Sequence, residues 1–126
     1  MHFKKHFTLP EARALLPRLR QMIRDAQRRR QFALRADQEL GELLDNTHAD
    51  LGGPVVHSLL MDLTQMNGQL RAIEKLGVQF KDFERGLVDF PHLRDGREVF
   101  LCWELDEENI EFWHDIDAGY PGREKL

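Results

Sequence analysis

The segment Asp50-Leu51-Gly52-Gly53-Pro54 lies between two runs of residues in heptad spacing, and this pattern decides the fold. The run before it advances in alternating steps of four and three through Ala12, Leu16, Leu19, Ile23, Ala26, Arg30, Ala33, Asp37, Leu40 and Leu44. The run after it continues through Val56, Leu59, Leu63, Met66, Leu70 and Ile73. Such spacing keeps one stripe on one side of an α-helix, and a heptad stripe packs against another helix. Two stripes joined by Gly-Gly-Pro predict an antiparallel helical hairpin.

The length and composition indicate one globular domain. The chain has 126 residues, of which 41% are apolar and 32% charged, which suffices for a modest core and is unlike a disordered chain. No apolar run approaches the roughly 20 residues of a membrane-spanning helix, and the N-terminal residues do not resemble a signal peptide. The lone Cys102 excludes an internal disulfide and suits a reducing compartment, so we expect a cytoplasmic protein.

The charge is unevenly divided along the chain. Residues 1–36 carry ten Lys or Arg against two acidic residues, a net +8, whereas residues 37–126 carry eight against twenty, a net −12. On the first helix, a basic stripe lies away from the apolar one and consists of Arg13, Arg20, Arg24, Arg28 and Arg35. Such a stripe can track phosphates, but no aromatic residues interleave with it. We therefore expect intrachain or solvated arginines, and nucleic-acid binding by this face of the first helix stays a minor alternative.

The first helix has a clear start and one interruption. Thr8-Leu9-Pro10-Glu11 is a capping box, in which the Thr8 and Glu11 side chains satisfy each other's backbone N–H groups. Pro17 deletes a hydrogen bond inside the helix, so we expect a kink there or a second helix beginning at that residue.

The second helix is expected to run from Pro54 to about Leu76 and to end at Gly77. Leu60 and Met61 lie off its main stripe, so more than one side of this helix is apolar. One hairpin partner cannot cover several sides. The C-terminal part of the chain or a second subunit is expected to cover the rest.

After Gly77 the apolar period changes from helical to two, which predicts a small antiparallel meander. The predicted strands are 78–80, 86–90, 97–105 and 110–116, with a turn over 91–96 that ends in Asp-Gly. In the third strand Val99, Leu101, Trp103 and Leu105 share one face, and Phe100, Cys102 and Glu104 share the other. One face of the sheet is expected to pack on the helices.

A candidate metal site lies at the hairpin tip. Asp45-x-x-His48 precedes the turn and His57 follows it, so these side chains are predicted to approach one another. Imidazole and carboxylate ligands suit a transition metal. Surface histidines with no ligand are the alternative.

Taken one at a time, the polar residues on the strands give little evidence for a functional site. Glu111 and His114 point to opposite faces of one strand and cannot share an ion. His114 on an apolar face is most simply a hydrogen-bonded core residue, although burial would lower its pKa. Cys102 would be a reactive thiol only beside a cationic group. No phosphate-binding glycine loop, Cys-x-x-Cys or nucleophile elbow is present.

The two ends of the chain resemble the domain of unknown function 2203 family of uncharacterised bacterial proteins. The matching motifs are Phe7-Thr8-Leu9-Pro10-Glu11-Ala12, Ala14-Leu15-Leu16-Pro17, Gly86-Leu87-Val88-Asp89-Phe90-Pro91, Asp95-Gly96-Arg97-Glu98-Val99, Leu101-Cys102-Trp103, Trp113-His114 and Gly119 to Arg123. The resemblance implies a long helical hairpin, similar to ferritin-like bundles, with C-terminal strands, and it implies no activity. The motif positions that would form a ligand site are Asp89, Arg97, Cys102, Trp103, His114 and Arg123.

We therefore predict an α+β, mostly α, single domain: a helical hairpin over about 8–76 and a meander with a C-terminal loop over about 77–126. A homodimer with a four-helix core is expected, without a cofactor or a membrane partner. The leading hypothesis is a non-catalytic interaction or scaffold protein. The alternative is a metal- or small-ligand-binding protein, or an enzyme, that uses Asp89, Arg97 and His114 or the hairpin histidines. Convergence of Asp89 and His114 on one cavity would favour it.

Overall fold

The computed structural model describes residues 2–45 and 53–126, which form two long helices followed by a five-stranded antiparallel sheet. The elements are α1 (Leu9–Asp45), α2 (Gly53–Lys75), β1 (Gln79–Asp82), β2 (Leu87–Arg94), β3 (Arg97–Trp103), β4 (Phe112–Asp115), a short 3-10 helix (Tyr120–Gly122) and β5 (Glu124–Lys125). The strands lie in the sheet in chain order. The α+β prediction is confirmed, with helix making up about half of the chain.

The predicted capping box opens α1. The Thr8 backbone N–H donates to Glu11 Oε1 at 3.0 Å, and the Glu11 N–H donates to Thr8 Oγ1 at 3.2 Å. The prediction that a second helix begins at Pro17 is wrong, because α1 continues through it. Pro17 is exposed while its neighbours Leu16 and Leu19 are buried, so packing holds the helix together across the one missing hydrogen bond.

The two helices pack as an antiparallel hairpin. The Gln69 side chain donates to Asp25, and farther along the pair Arg29 lies 3.5 Å from the Asp62 carboxylate. The buried stripe of α1 follows the predicted heptad as far as Ala33, and then Ala36 is buried while Asp37 is exposed. The strict heptad therefore describes the buried face of α1 only as far as Ala33.

The second helix is covered on fewer sides than its sequence predicts. Among its described residues only Asp62 and Ile73 are buried, and Ile73 lies at the end next to the sheet. Large apolar side chains on both helices are 41–58% exposed: Phe32, Leu34, Leu60, Met61 and Leu63. The C-terminal part of the chain therefore leaves this apolar surface open.

None of the helices in the described ranges has an apolar stretch long enough to cross a bilayer.

The hairpin between β2 and β3 is tighter than predicted. Arg94 pairs with Arg97, so Asp95 and Gly96 alone form the turn, and both have positive φ, 52° and 77°. Two such residues form the turn type that matches the twist of paired strands. Residues 91–94, predicted as turn, belong to β2. Pro91 is tolerated because its carbonyl accepts from the Phe7 N–H, so its backbone polar groups face the N-terminal segment and not β3.

The sheet has two faces of different chemistry. The helix face packs in the main core and carries Val88, Phe90, Val99, Leu101, Trp103 and Trp113. The opposite face, here called the site face, carries Asp89, Phe100, Cys102, Phe112 and His114. The predicted division of the third strand between two faces is confirmed over 99–103, whereas Glu104 and Leu105, predicted to end that strand, lie beyond β3.

Candidate functional site

Three side chains with different donor atoms meet on the site face. Asp89 of β2 is directly opposite Cys102 of β3, and His114 of β4 is opposite Phe100 of β3. His114 is therefore a diagonal neighbour of Cys102 across the ladder, within reach of a long side chain. The three are 3%, 1% and 2% exposed, respectively, so the cluster is buried although it faces away from the helices.

Hydrogen bonds hold His114 in one orientation. Its Nδ1 lies 2.7 Å from the Asp115 carbonyl oxygen, and its Nε2 lies 3.0 Å from Asp89 Oδ1. A carbonyl oxygen only accepts, so Nδ1 carries a hydrogen and donates it. In the neutral ring, Nε2 then presents its lone pair toward the Asp89 carboxylate, and a proton or another cation must lie between these two acceptors.

The cluster is not arranged as a nucleophile with its base. Burial raises the pKa of the Cys102 thiol to about 12, and the charge of Asp89 adds to that effect. Both ring nitrogens of His114 have other partners, the Asp115 carbonyl and the Asp89 carboxylate, and neither partner is the Cys102 thiol. A thiol-imidazole catalytic pair needs the imidazole in the middle. Burial also raises the pKa of Asp89, although the neighbouring His114 opposes this.

Segments far apart in the sequence cover the cluster. The site face opens into a pocket of about 170 Å³, lined by the three donors together with Lys81, Leu87, Phe100, Ile116, Gly119 and Tyr120. Lys81 is exposed at this pocket, and its Nζ lies 5.2 Å from the Phe100 ring centroid. The cluster is thus buried but has a route to the surface.

The N-terminal segment covers the other end of the same face. The Phe3 ring packs on Phe100 at 5.2 Å between centroids, and the His2 and Phe3 N–H groups donate to the Glu98 carboxylate. His6 Nε2 lies 2.9 Å from Glu98 Oε2. Burial raises the pKa of Glu98, but the hydrogen bonds from His6, His2 and Phe3 outweigh it and lower that pKa to about 2.

Arg123 lies beside the cluster. Its guanidinium carbon is 4.0 Å from the Phe112 ring centroid, and Phe112 is the cross-strand neighbour of Cys102. Its Nη2 donates to both carboxylate oxygens of Glu107, at 2.6 and 2.8 Å. Among the described residues, Arg123 Nε is a buried donor that has no hydrogen-bond acceptor. The positive charge of Arg123 acts on Cys102 and lowers the pKa of its thiol, against the larger effect of burial.

Two of the six predicted site residues lie elsewhere. Trp103 is on the helix face, where its indole N–H donates to the Glu107 carbonyl at 2.9 Å. Arg97 is exposed at the start of β3 and pairs with the Asp115 carboxylate at 2.8 Å. Asp89, Cys102 and His114 come together, and Arg123 flanks them. Asp89 and His114 line one pocket, which is the arrangement that would favour a ligand-binding protein.

Two further polar residues line the pocket, Lys81 and Tyr120, and neither was among the predicted site residues. The predicted first strand ended at Phe80, whereas β1 extends to Asp82 and includes Lys81. A longer period-two pattern through Gln79 and Lys81 was the signal available. Tyr120 lies in the family motif near the C-terminus, but no spacing rule connects it to His114.

The proposed metal residues of the hairpin tip are not tested by the structure. His57 is exposed on α2. Asp45 ends α1 but its side chain lies outside the described part of the chain, as does His48 entirely. That site stays a prediction.

The basic stripe of α1 is partly engaged within the chain. Arg13 donates to the Ile110 carbonyl at 3.0 Å, and Arg20 donates to the Leu105, Glu107 and Glu108 carbonyls at 3.2, 2.9 and 2.6 Å. These guanidinium groups bind the connection between β3 and β4, which carries acidic side chains. Arg28 pairs with Asp25 on its own helix.

The donor set is chemically suited to a divalent transition metal. Thiolate, imidazole and carboxylate groups are the common zinc ligands, and bonds of about 2.0–2.3 Å place tetrahedral ligand atoms roughly 3.3–3.8 Å apart. The ligand atoms of Asp89, Cys102 and His114 all lie within 4.8 Å of one another, and they are the one group of three such residues found in ranges 2–45 and 53–126. Side-chain movements of about an ångström or less would bring these ligand atoms to the separations that a tetrahedral zinc ion requires.

Comparison with known proteins adds one finding. The family model described as Uncharacterized conserved protein (DUF2203) matches residues 5–126. No curated protein and no solved structure matches the chain. The match spans both the hairpin and the sheet that carries the candidate site.

Proposed function

The chain belongs to the DUF2203 family of uncharacterized conserved proteins, and from that premise we propose that it binds a divalent transition metal ion through Asp89, Cys102 and His114. Zinc is the expected ion. The observation that carries this proposal is the convergence of three donor atoms within 4.8 Å at a buried place on the sheet. Buried polar groups cost free energy when they serve packing alone.

The hydrogen bonds of His114 support the proposal. Metal-binding histidines usually donate their second ring N–H to a carbonyl or carboxylate, which fixes the tautomer. His114 Nδ1 has this bond with the Asp115 carbonyl, and its Nε2 is directed at Asp89 Oδ1. A metal ion would take the place of the proton between these two atoms, and the thiolate of Cys102 would complete three ligands.

The nature of the ligands favours zinc or cobalt over magnesium or calcium. Hard cations take oxygen ligands, whereas one sulfur and one nitrogen donor select borderline metals. A thiol ligand also requires a compartment in which it is not oxidised. The proposed site therefore agrees with the predicted cytoplasmic location.

Metal titration of the full chain tests this proposal. The chelator-treated protein should bind one zinc ion, measured by calorimetry and by elemental analysis of the dialysed complex. His114→Gln and Cys102→Ser should each weaken binding by about 100-fold or more, since each removes one of three ligands. Far-ultraviolet circular dichroism confirms that each variant is folded.

The matched control is His57→Gln, because His57 is exposed on α2 and belongs to the alternative site at the hairpin tip. It should bind zinc as tightly as the unmodified chain. Loss of binding in His57→Gln with retention in His114→Gln would refute the proposal and move the metal to the tip. Absence of zinc binding by the folded unmodified chain would also refute it.

We also propose a homodimer, in which the open surface of the hairpin packs against a second copy. The supporting observation is the exposure of Phe32, Leu34, Leu60, Met61 and Leu63 on both helices. Large apolar side chains exposed to water are candidates for an interface, and two antiparallel hairpins provide the four helices of a bundle. This arrangement would give the protein the interaction role expected from its sequence and the bundle implied by the family resemblance.

Sedimentation analysis tests the dimer. The unmodified chain should sediment as a dimer at micromolar concentration. The double variant Leu60→Glu with Leu63→Glu should be monomeric, because it places charges in the apolar contact. The control Gln65→Glu changes the charge at an exposed position of the same helix and should stay dimeric. A monomeric unmodified chain would contradict the proposal.

A further inference from the structure

The pocket above the three donors has a charge pattern that selects its ligand. Its inner end is formed by Asp89, Cys102 and His114, and its exposed side carries Lys81. None of the ion pairs found among the described residues includes Lys81. The charge of Lys81 acts on the Asp89 carboxyl group and lowers its pKa, against the larger effect of burial.

Resting on the proposed metal site, we infer that the pocket binds a small carboxylate or oxyanion, with one oxygen on the metal and the charge facing Lys81. Three protein ligands leave a fourth position on a tetrahedral zinc ion, which water or another ligand fills. All three donors line the pocket, so an ion held by them borders it.

The balance of charge favours an anion. A divalent ion with one thiolate, one carboxylate and one neutral imidazole has no net charge. Lys81 then adds a positive charge on the open side, where its Nζ lies over the Phe100 ring, 5.2 Å from the centroid. An anion in the pocket would meet the Lewis acid at one end and the ammonium group at the other.

The volume limits the size of this ligand. About 170 Å³ is the space of roughly five or six water molecules at about 30 Å³ each. Pockets for drug-sized molecules and cofactors run from about 300 to 1,000 Å³. The pocket therefore suits an anion of the size of acetate or bicarbonate, and a nucleotide would not fit within its volume.

Cobalt substitution gives a direct experiment on the full chain. Tetrahedral Co²⁺ bound by a thiolate has visible absorption bands that change when a ligand enters its coordination shell. Acetate should change the spectrum in a saturable manner, and acetamide, which has a similar shape and no charge, should not. Lys81→Met should weaken acetate binding by about fivefold, the size of one partly screened ion pair.

The control Lys75→Met removes an exposed lysine at the end of α2 and should leave the acetate titration unchanged. A normal cobalt spectrum that acetate does not alter would overturn this inference and leave the metal site standing. An acetate response that is equal in Lys81→Met, or equal for acetamide, would overturn it as well. Absence of a cobalt-thiolate spectrum would overturn the inference together with the proposed metal function.

Discussion

The two faces of the sheet are both buried, yet they are built from different groups and covered by different parts of the chain. The helix face presents Val88, Leu101 and Trp103 to α1 and α2, in the main hydrophobic core. The site face presents Asp89, Cys102 and His114 to the two ends of the chain, through the N-terminal segment and residues 116–123. Neighbouring residues of β3 thus enter either a packed core or a polar cluster.

Within β3, the residues that stabilise the fold are therefore different from the residue that belongs to the polar cluster. Apolar burial on the helix face is the main source of folding free energy. The polar cluster on the site face is bonded internally, but a well-packed apolar cluster of the same size would stabilise the fold at least as well. Substitutions on the two faces should therefore have separable effects.

The largest effect on stability should come from the helix face. Leu101→Ala removes a fully buried side chain and should lower the free energy of unfolding by about 2–5 kcal/mol. Denaturant unfolding measures this change, and the metal affinity of the folded fraction should stay the same. A loss of metal binding equal to that of Cys102→Ser would show that the two faces are not separable.

Arg123→Gln should have the next largest effect. The substitution removes the charged group that donates to the Glu107 carboxylate and stacks on the Phe112 ring. We expect the free energy of unfolding to fall by about 2 kcal/mol. It should also weaken zinc binding by about tenfold, because a buried guanidinium that supports a thiolate is lost. Arg123→Lys keeps the charge and should recover most of the metal affinity, measured by competition with a chelating dye. Equal zinc affinity in both variants and the unmodified chain would limit Arg123 to packing.

Cys102→Ala should change stability by only about 1 kcal/mol, although it is the residue after Leu101. In the metal-free chain its thiol has a pKa raised to about 12 and is 1% exposed. Iodoacetamide should therefore modify the native protein at pH 8 far more slowly than the unfolded chain. Mass spectrometry of timed samples measures the two rates. Fast modification of the native protein would contradict the buried, protonated thiol.

The smallest effect should come from Glu98, which holds the N-terminal segment over the site face. Its pKa is lowered from 4.5 to about 2, so it stabilises the fold above about pH 4.5, and this contribution disappears as the pH falls through about 2. The melting temperature of Glu98→Gln should lie below that of the unmodified chain at pH 6, and the difference should shrink toward pH 2. The control Glu111→Gln, at an exposed position, should show no such trend. A difference that does not depend on pH would contradict the role of the charged carboxylate.

The sequence predicted local features because each depends on a few adjacent residues. The capping box at Thr8, the turn at Asp95-Gly96 and the alternation along β3 all follow from short patterns and are present. The predictions at Pro17 and Pro91 were wrong, because tertiary contacts outweigh the local sequence pattern at both residues. Packing of Leu16 and Leu19 carries the helix through Pro17, and the N-terminal segment lets Pro91 stay inside β2.

The candidate site was only partly predictable. Asp89, Cys102, His114 and Arg123 were selected by family resemblance, whereas their arrangement depends on how three strands pair. Trp103 and Arg97 belong to the same motifs but serve the core and an exposed ion pair. A sequence motif therefore identifies residues that matter to the fold, but it does not show which of them lie together in the structure.

The sequence by itself determined the helical hairpin, the antiparallel meander and the two faces of β3, because helix and strand periods are properties of neighbouring residues. Only the tertiary structure decided that Asp89, Cys102 and His114 meet. The register of β2, β3 and β4 sets them side by side, and Ile116, Gly119 and Tyr120 line the pocket above them. The physical reason is that strand register and coverage depend on contacts between residues far apart in the chain, which no local pattern encodes.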